Sequence, residues 1–115
     1  MADTFKTRDQ LIERAGIALG LVQPGEALSS EDHDTLDNLF DPLISQLSSD
    51  SVIYIGDPDQ IELDVFIPLA ACLANQAGPS FGGAFNDQAW ARDTATLRRV
   101  SWAAPTYEPL KSETF

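Results

Sequence analysis

His33 is the single histidine of the chain, and it stands among Glu31, Asp32 and Asp34 at what reads as a helix start. An imidazole beside carboxylates is raw material for general acid–base chemistry, but it must meet a nucleophile or a polarised bond within hydrogen-bond reach. Nothing in the spacing supplies that partner, so His33 reads as a solvated residue of a capping turn. Zinc needs several His or Cys ligands at close spacing. With one of each, His33 and Cys72, structural zinc is not expected. Asp57, Asp59, Glu62 and Asp64 crowd carboxylates into eight positions, yet they lack the central glycine and the terminal glutamate of an EF-hand loop. Glycoside hydrolysis needs two carboxyls facing each other across a cleft, one with a raised pKa. A small helical body with solvated acids rarely builds that. Gly78, Gly82 and Gly83 are not followed by the lysine of a phosphate-cradling loop, so they read as a tight turn. The sequence predicts neither an enzyme nor a cofactor or metal site.

Charge is more informative. The 115 residues carry a net charge of −11, which disfavours binding to a phosphate backbone that must be neutralised by Lys and Arg. The basic residues are Lys6, Arg8, Arg14, Arg92, Arg98, Arg99 and Lys111, so Ala15 to Ala91 holds none, against twelve Asp and Glu. The middle of the chain is uniformly negative. An apolar fraction of 43% is ordinary for one globular domain and argues against general disorder. The lone Cys72 cannot close an internal disulfide, and the opening residues lack a basic stretch followed by an apolar one. A cytosolic product is therefore expected. The longest apolar run, Leu69 to Ala74, is far below the roughly 20 residues of a membrane span.

The elements follow from periodicity. Thr7 with Gln10 has the form of a capping box, and Leu11, Ile12, Ala15, Ala18 and Leu19 keep helical spacing up to Gly20, which predicts a helix over 8–19. Ser29 or Ser30 caps a second helix. Its stripe is Leu36, Leu39, Phe40, Leu43, Ile44 and Leu47; its other face carries Asp34, Asp37 and Asp41, and Pro42 predicts a kink near Asn38 to Pro42. Val52, Ile53, Tyr54 and Ile55 form a β-prone run, and Ile61, Leu63 and Val65 alternate with acids. A short hairpin over 52–63, turning through Gly56 to Asp59, competes with a third helix opened by Asp57 and Pro58. Phe66, Leu69, Ala70, Leu73 and Ala77 give the third helical stripe, stopped by Gly78 and Pro79. A fourth helix, capped by Asn86, carries Ala89, Trp90, Leu97 and Val100. The fold class is therefore mainly α: a bundle of about four helices, a short β-hairpin or extended arm between helices 2 and 3, and an extended C-terminal tail. Residues 1–100 make the helical domain. Leu11, Leu19, Leu36, Phe40, Leu43, Leu69 and Leu73 form its expected core.

Two segments ask for partners. Residues 101–115 have no helical period but hold Trp102, Tyr107, Leu110 and Phe115, and aromatics in such a segment suit docking. The run Val52, Ile53, Tyr54, Ile55, with Asp57 and Asp59 after it, is an arm whose backbone groups need pairing. They are expected on either side of the compact body. Asp50, Ser51 and Val52 also resemble the Asp-Ser-Leu of acyl carrier proteins, whose serine opens a helix and carries a phosphopantetheine arm. Here Ser51 opens a β-prone run instead, so an acidic carrier or regulatory domain is the alternative reading.

Taken together, the chain resembles the head-to-tail adaptor, or head-completion, proteins of tailed bacteriophages. The likeness rests on Thr7 with Leu11, Ala15, Leu19 and Gly20; on Leu36 and Leu39; and on Val52 to Ile55 before an acidic turn. It continues through Phe66, Leu69, Ala70, Leu73 and Ala74, then Phe81 with Gly82, then Leu97 and Arg98. The resemblance implies a virion protein made in the host cytoplasm. It would form a ring, commonly of twelve copies, under the portal protein and above a tail stopper or nozzle protein. It also implies a C-terminal tail reaching the portal and a segment between helices 2 and 3 facing the tail component or the next subunit. DNA would pass without specific binding, past a wall to which Asp34, Asp37 and Asp41 are candidates.

Overall fold

The structure, a computed structural model, describes residues 5–103. Among them are four α-helices, α1 (Arg8–Ala18), α2 (Ser30–Ser49), α3 (Leu63–Ala77) and α4 (Asp87–Ala103). A two-stranded antiparallel ribbon joins β1 (Phe5–Lys6) to β2 (Ile61–Glu62), and a 3-10 turn covers Gly78–Phe81. The protein is the small, mainly α bundle that the periodicities predict.

Three of the described helices start at a capping side chain, whereas Glu62 opens α3 without a side-chain cap. The Thr7 hydroxyl accepts from the Gln10 amide at 3.2 Å, and the Gln10 side chain accepts from the Thr7 amide at 2.8 Å, so the capping box is complete. Ser29 accepts from the Asp32 amide at 3.2 Å at the start of α2. Asn86 caps α4 by accepting from the Ala89 amide at 3.0 Å. Asn75 of α3 in turn grips Asn86 through both its amide oxygen and its amide nitrogen, each at 2.8 Å.

α3 is the central element and packs against the other three helices. It buries Val65, Leu69, Ala70, Cys72, Leu73, Ala74 and Ala77, the pattern of a helix surrounded by protein. Leu11, Leu36, Phe40, Leu43, Leu69 and Leu73 are buried as expected, whereas Leu19 is half-buried at the edge of the same cluster. α2 runs unbroken across Pro42. The proline and Asn38, whose carbonyl loses its usual helical donor to it, both lie on the exposed side. The expected stop at Gly78 also differs. Gly78 keeps right-handed geometry and leads into the 3-10 turn, and the chain leaves the helical path at Gly82, with φ of +86°.

The hairpin over 52–63 is not formed, and neither is a helix opened by Asp57. β2 pairs instead with β1, Phe5 opposite Glu62 and Lys6 opposite Ile61, so the partner strand comes from the start of the chain. Val52 and Ile53 are buried in the core rather than held out as an arm. Their position follows from the end of α2. Ser51 is left-handed with φ of 57°, the Val52 amide donates to the Leu47 carbonyl at 2.8 Å, and the Ser51 amide donates to the Ser48 carbonyl at 3.1 Å. This is a Schellman closure, whose hydrophobic contact pulls Val52 down onto Leu47. α4 continues through Ser101–Ala103, three residues beyond the boundary predicted at 100.

Candidate functional site

The predicted site residues fall into three places. Asp37 and Asp41 are not free acids on an outer wall. Arg8, in the first turn of α1, donates from Nε to Asp37 Oδ1 at 2.8 Å, from Nη1 to Asp41 Oδ1 at 3.0 Å and from Nη2 to the Asp37 carbonyl at 3.2 Å. Its guanidinium also lies 4.5 Å from the centre of the Phe40 ring. Burial pulls the Arg8 pKa down, but the hydrogen bonds and charges of Asp37 and Asp41 outweigh it and raise the pKa overall. The Arg8 amide further donates to Asp59 Oδ1 at 3.4 Å, tying the turn before β2 to the positive end of α1. These acids clamp α1, α2 and the connecting segment. Asp34, which is exposed, is the one of the three without a hydrogen bond or ion pair among the described residues.

His33 Nε2 lies 3.3 Å from Asp9 Oδ1, where it joins the starts of α1 and α2. Gly78, Ser80 and Gly82 stand at the Gly-x-Ser-x-Gly spacing of a nucleophile elbow, a match that the sequence reasoning missed. An elbow is a strained strand-to-helix turn. Ser80 is exposed in a 3-10 turn that follows a helix, its φ is not positive, and no hydrogen bond joins it to His33. Asp57 accepts from the Asp59 amide at 3.0 Å and so serves the local turn. Among the described residues no three His, Cys, Asp or Glu side chains converge to hold a metal. Ser51 is exposed and closes α2, the opposite of the helix-opening serine of the carrier reading. Cys72 is buried, and its thiol is pushed up to about 12 by desolvation, with the Asp93 charge adding to it.

The third place is the end of the body where α1 and α3 begin and α2 and α4 end. Phe5, Ile53, Tyr54, Ile55, Gly56, Gln60, Glu62, Val65 and Ser101 line an open cleft of about 260 Å³ there. That is below the roughly 300–1,000 Å³ of ordinary small-molecule pockets. Tyr54 is 78% exposed and Phe5 41%. Two more apolar side chains stand out nearby along the first turns of α3: Leu63, next to Glu62, and Ile67 one turn on. Tyr54 and Ile55 lie outside regular secondary structure and Gly56 is at a bend, and their amides and carbonyls have no hydrogen-bond partner among the described residues. Tyr54 and Gly56 are exposed, so these backbone groups are open to water or to a partner.

Of the tail residues, Trp102 belongs to the last turn of α4, while Tyr107, Leu110 and Phe115 lie outside the described residues. The chain nevertheless passes Ser101 at the wall of this same cleft. The run Tyr54 to Gly56 and Ser101 of α4 therefore lie at one end of the body, while the rest of the expected tail, 104–115, lies outside the described residues. The opposite end carries a second shallow groove of about 330 Å³, lined by Leu19, Leu21, Asn75, Gly78, Phe81 and neighbours.

The fold and this site define a small helical bundle with an open cleft at one end, beside which Tyr54 and Phe5 stand exposed. Comparison with protein-family models, with curated proteins and with solved structures returned no match to the chain.

Proposed function

We propose that the chain is a structural head-to-tail adaptor of a tailed bacteriophage. Copies close into a ring beneath the portal protein, extend the DNA channel and join it to a stopper or nozzle protein of the tail. The role is architectural, and no catalytic step belongs to it. The observation that carries the reading is the crowded end of the body. It holds exposed Tyr54 and Phe5, the backbone of Tyr54 to Gly56 without hydrogen-bond partners among the described residues, and Ser101 of the last turns of α4. A small domain that leaves apolar side chains and backbone groups open at one end is suited to assembly. Acidic character supports the same role, because DNA sliding past Asp and Glu gains nothing from counterion release, whereas a basic wall would hold it. Of Asp34, Asp37 and Asp41, Asp34 is the one without an ion pair among the described residues.

The test is attachment to portal rings of the same virus. The full chain should co-sediment with them, and Tyr54→Ser together with Phe5→Ser should weaken attachment or ring closure at least tenfold at unchanged helical content. Unaltered attachment by that double variant would remove the crowded end from the interface.

A further inference from the structure

Leu63 and Ile67, on the first turns of α3, are 48% and 51% exposed and stand one turn apart on the same face. Glu62 and Asp64, both exposed, flank them, so this face is an apolar ridge with an acidic rim. The outer face of α4 has the reverse character. Asp93, Thr94 and Leu97 are buried there, whereas Ala91, Arg92, Ala95, Arg98 and Arg99 are exposed. With about 100° of helix rotation per residue, Ala91 and Ala95 form a trough with Arg92 and Arg99 along one side and Arg98 along the other. We propose that the Leu63 and Ile67 ridge of one copy docks into the Ala91 and Ala95 trough on α4 of a second copy of this chain.

Shape and charge select this occupant. The four-residue step from Leu63 to Ile67, like that from Ala91 to Ala95, covers about 6 Å of helix axis, so both apolar side chains meet the trough at once. Alanines let a second helix approach closely, and the ridge supplies the bulk they lack. Glu62 and Asp64 then face arginines on either side, which fixes register as well as partner. Arg92 gives Nε and Nη2 to the neighbouring Asp93 at 3.1 and 3.4 Å, yet its side chain is 71% exposed and keeps donors for a second carboxylate. Arg98 gives Nη2 to the Asp50 carbonyl at 3.3 Å, which steadies that side of the trough. A polyanion is the other occupant that arginines could hold, and the net charge of −11 opposes it. Ridge and trough are different faces, so each docked pair leaves one of each free, and further copies add head to tail. Closure of that series into a ring rests on the adaptor reading, for which this contact joins neighbouring subunits.

Sedimentation velocity of the full chain, taken to roughly 1 mM because the faces are small, should show reversible growth beyond the monomer. Ala95→Glu with Arg99→Glu blocks the trough and leaves the Arg92 and Arg98 bonds in place. Leu63→Ser with Ile67→Arg removes the ridge. Each variant alone should stay monomeric at unchanged helical content. Their equimolar mixture should form one-to-one pairs and grow no further, since it keeps one intact ridge and one intact trough. Diluting the unaltered, isotope-enriched chain should shift the amide signals of 63–67 and 91–99 together, a readout that needs no variant. A monomeric unaltered chain, a folded variant that associates alone, a mixture that stays monomeric, or dilution shifts confined to other residues overturns the proposal. Duplex DNA bound by the unaltered chain and not by the α4 variant overturns it as well, and assigns the arginines to phosphates. No portal is present in these measurements, so their failure leaves attachment of the Tyr54 end to portal rings untouched.

Discussion

Arg8→Ala should cost this domain about 2 kcal/mol, and the way the loss divides among its partners tests the clamp. The Arg8 side chain is only 24% exposed and Asp37 38%, so the 2.8 Å pair is partly shielded and supported by a further bond to the Asp37 carbonyl. A pair of that kind lies near the upper end of the roughly 0.2–1 kcal/mol of surface ion pairs. Asp41 is 75% exposed, and its 3.0 Å bond contributes about 0.3 kcal/mol on the same scale. The guanidinium above Phe40 adds about 0.5–1 kcal/mol, together with the packing of its aliphatic stem. Urea denaturation of the full chain and the variants Arg8→Ala, Asp37→Asn and Asp41→Asn gives these differences at constant m-value. Asp37→Asn should cost about three times as much as Asp41→Asn. Raising salt from 0.1 to 1 M, which shortens the screening length from about 10 to about 3 Å, should erase the Asp41 loss first. An Arg8→Ala loss below about 0.5 kcal/mol, or equal losses at Asp37 and Asp41, would show that the acids of α2 are the free surface charges first expected.

Further outcomes follow from the same geometry. Leu43→Ala or Leu69→Ala, each opening a cavity at a side chain at most 2% exposed, should lower stability by about 2–5 kcal/mol in the same assay. Ser51→Gly should raise stability by about 1 kcal/mol, because the left-handed backbone at the end of α2 costs a non-glycine residue roughly that much, and a lower melting temperature would contradict the Schellman closure. Cys72 should resist thiol reagents in the native protein and react on unfolding. Since its folded pKa of about 12 exceeds the unfolded value near 8.5, the stability it contributes is complete below that unfolded value and is lost as pH rises toward 12. A native-state reaction rate equal to that of the unfolded chain would refute its burial. On the proposed adaptor reading, Asp34→Lys should slow DNA ejection most at low salt, and normal ejection kinetics at low salt would remove Asp34 from the proposed channel wall.

The helices were legible because their signals are local. The Thr7–Gln10 box, Ser29 and Asn86 are read from a few adjacent residues, and the stripes of α2 and α3 repeat over several turns. The ribbon was not legible, because β1 is two residues long and its partner lies over fifty positions away; no periodicity records that pairing. The burial of Val52 and Ile53 depends on a left-handed serine, a conformation that composition does not advertise. Arg8 was invisible as a clamp for the same reason as the ribbon: Asp37 and Asp41 look like the solvated face of a helix until α1 is laid across them. The cleft beside Tyr54 followed only from the packing of α3 and α4, which brings Val65 and Ser101 together.

The adaptor reading is tested most directly by imaging the full chain with portal rings of the same virus in negative stain. The account predicts closed rings of this protein stacked coaxially beneath the portal, with a continuous central channel and the Tyr54 end of each subunit at the contact. Bare portal rings beside dispersed monomers at saturating protein would contradict it.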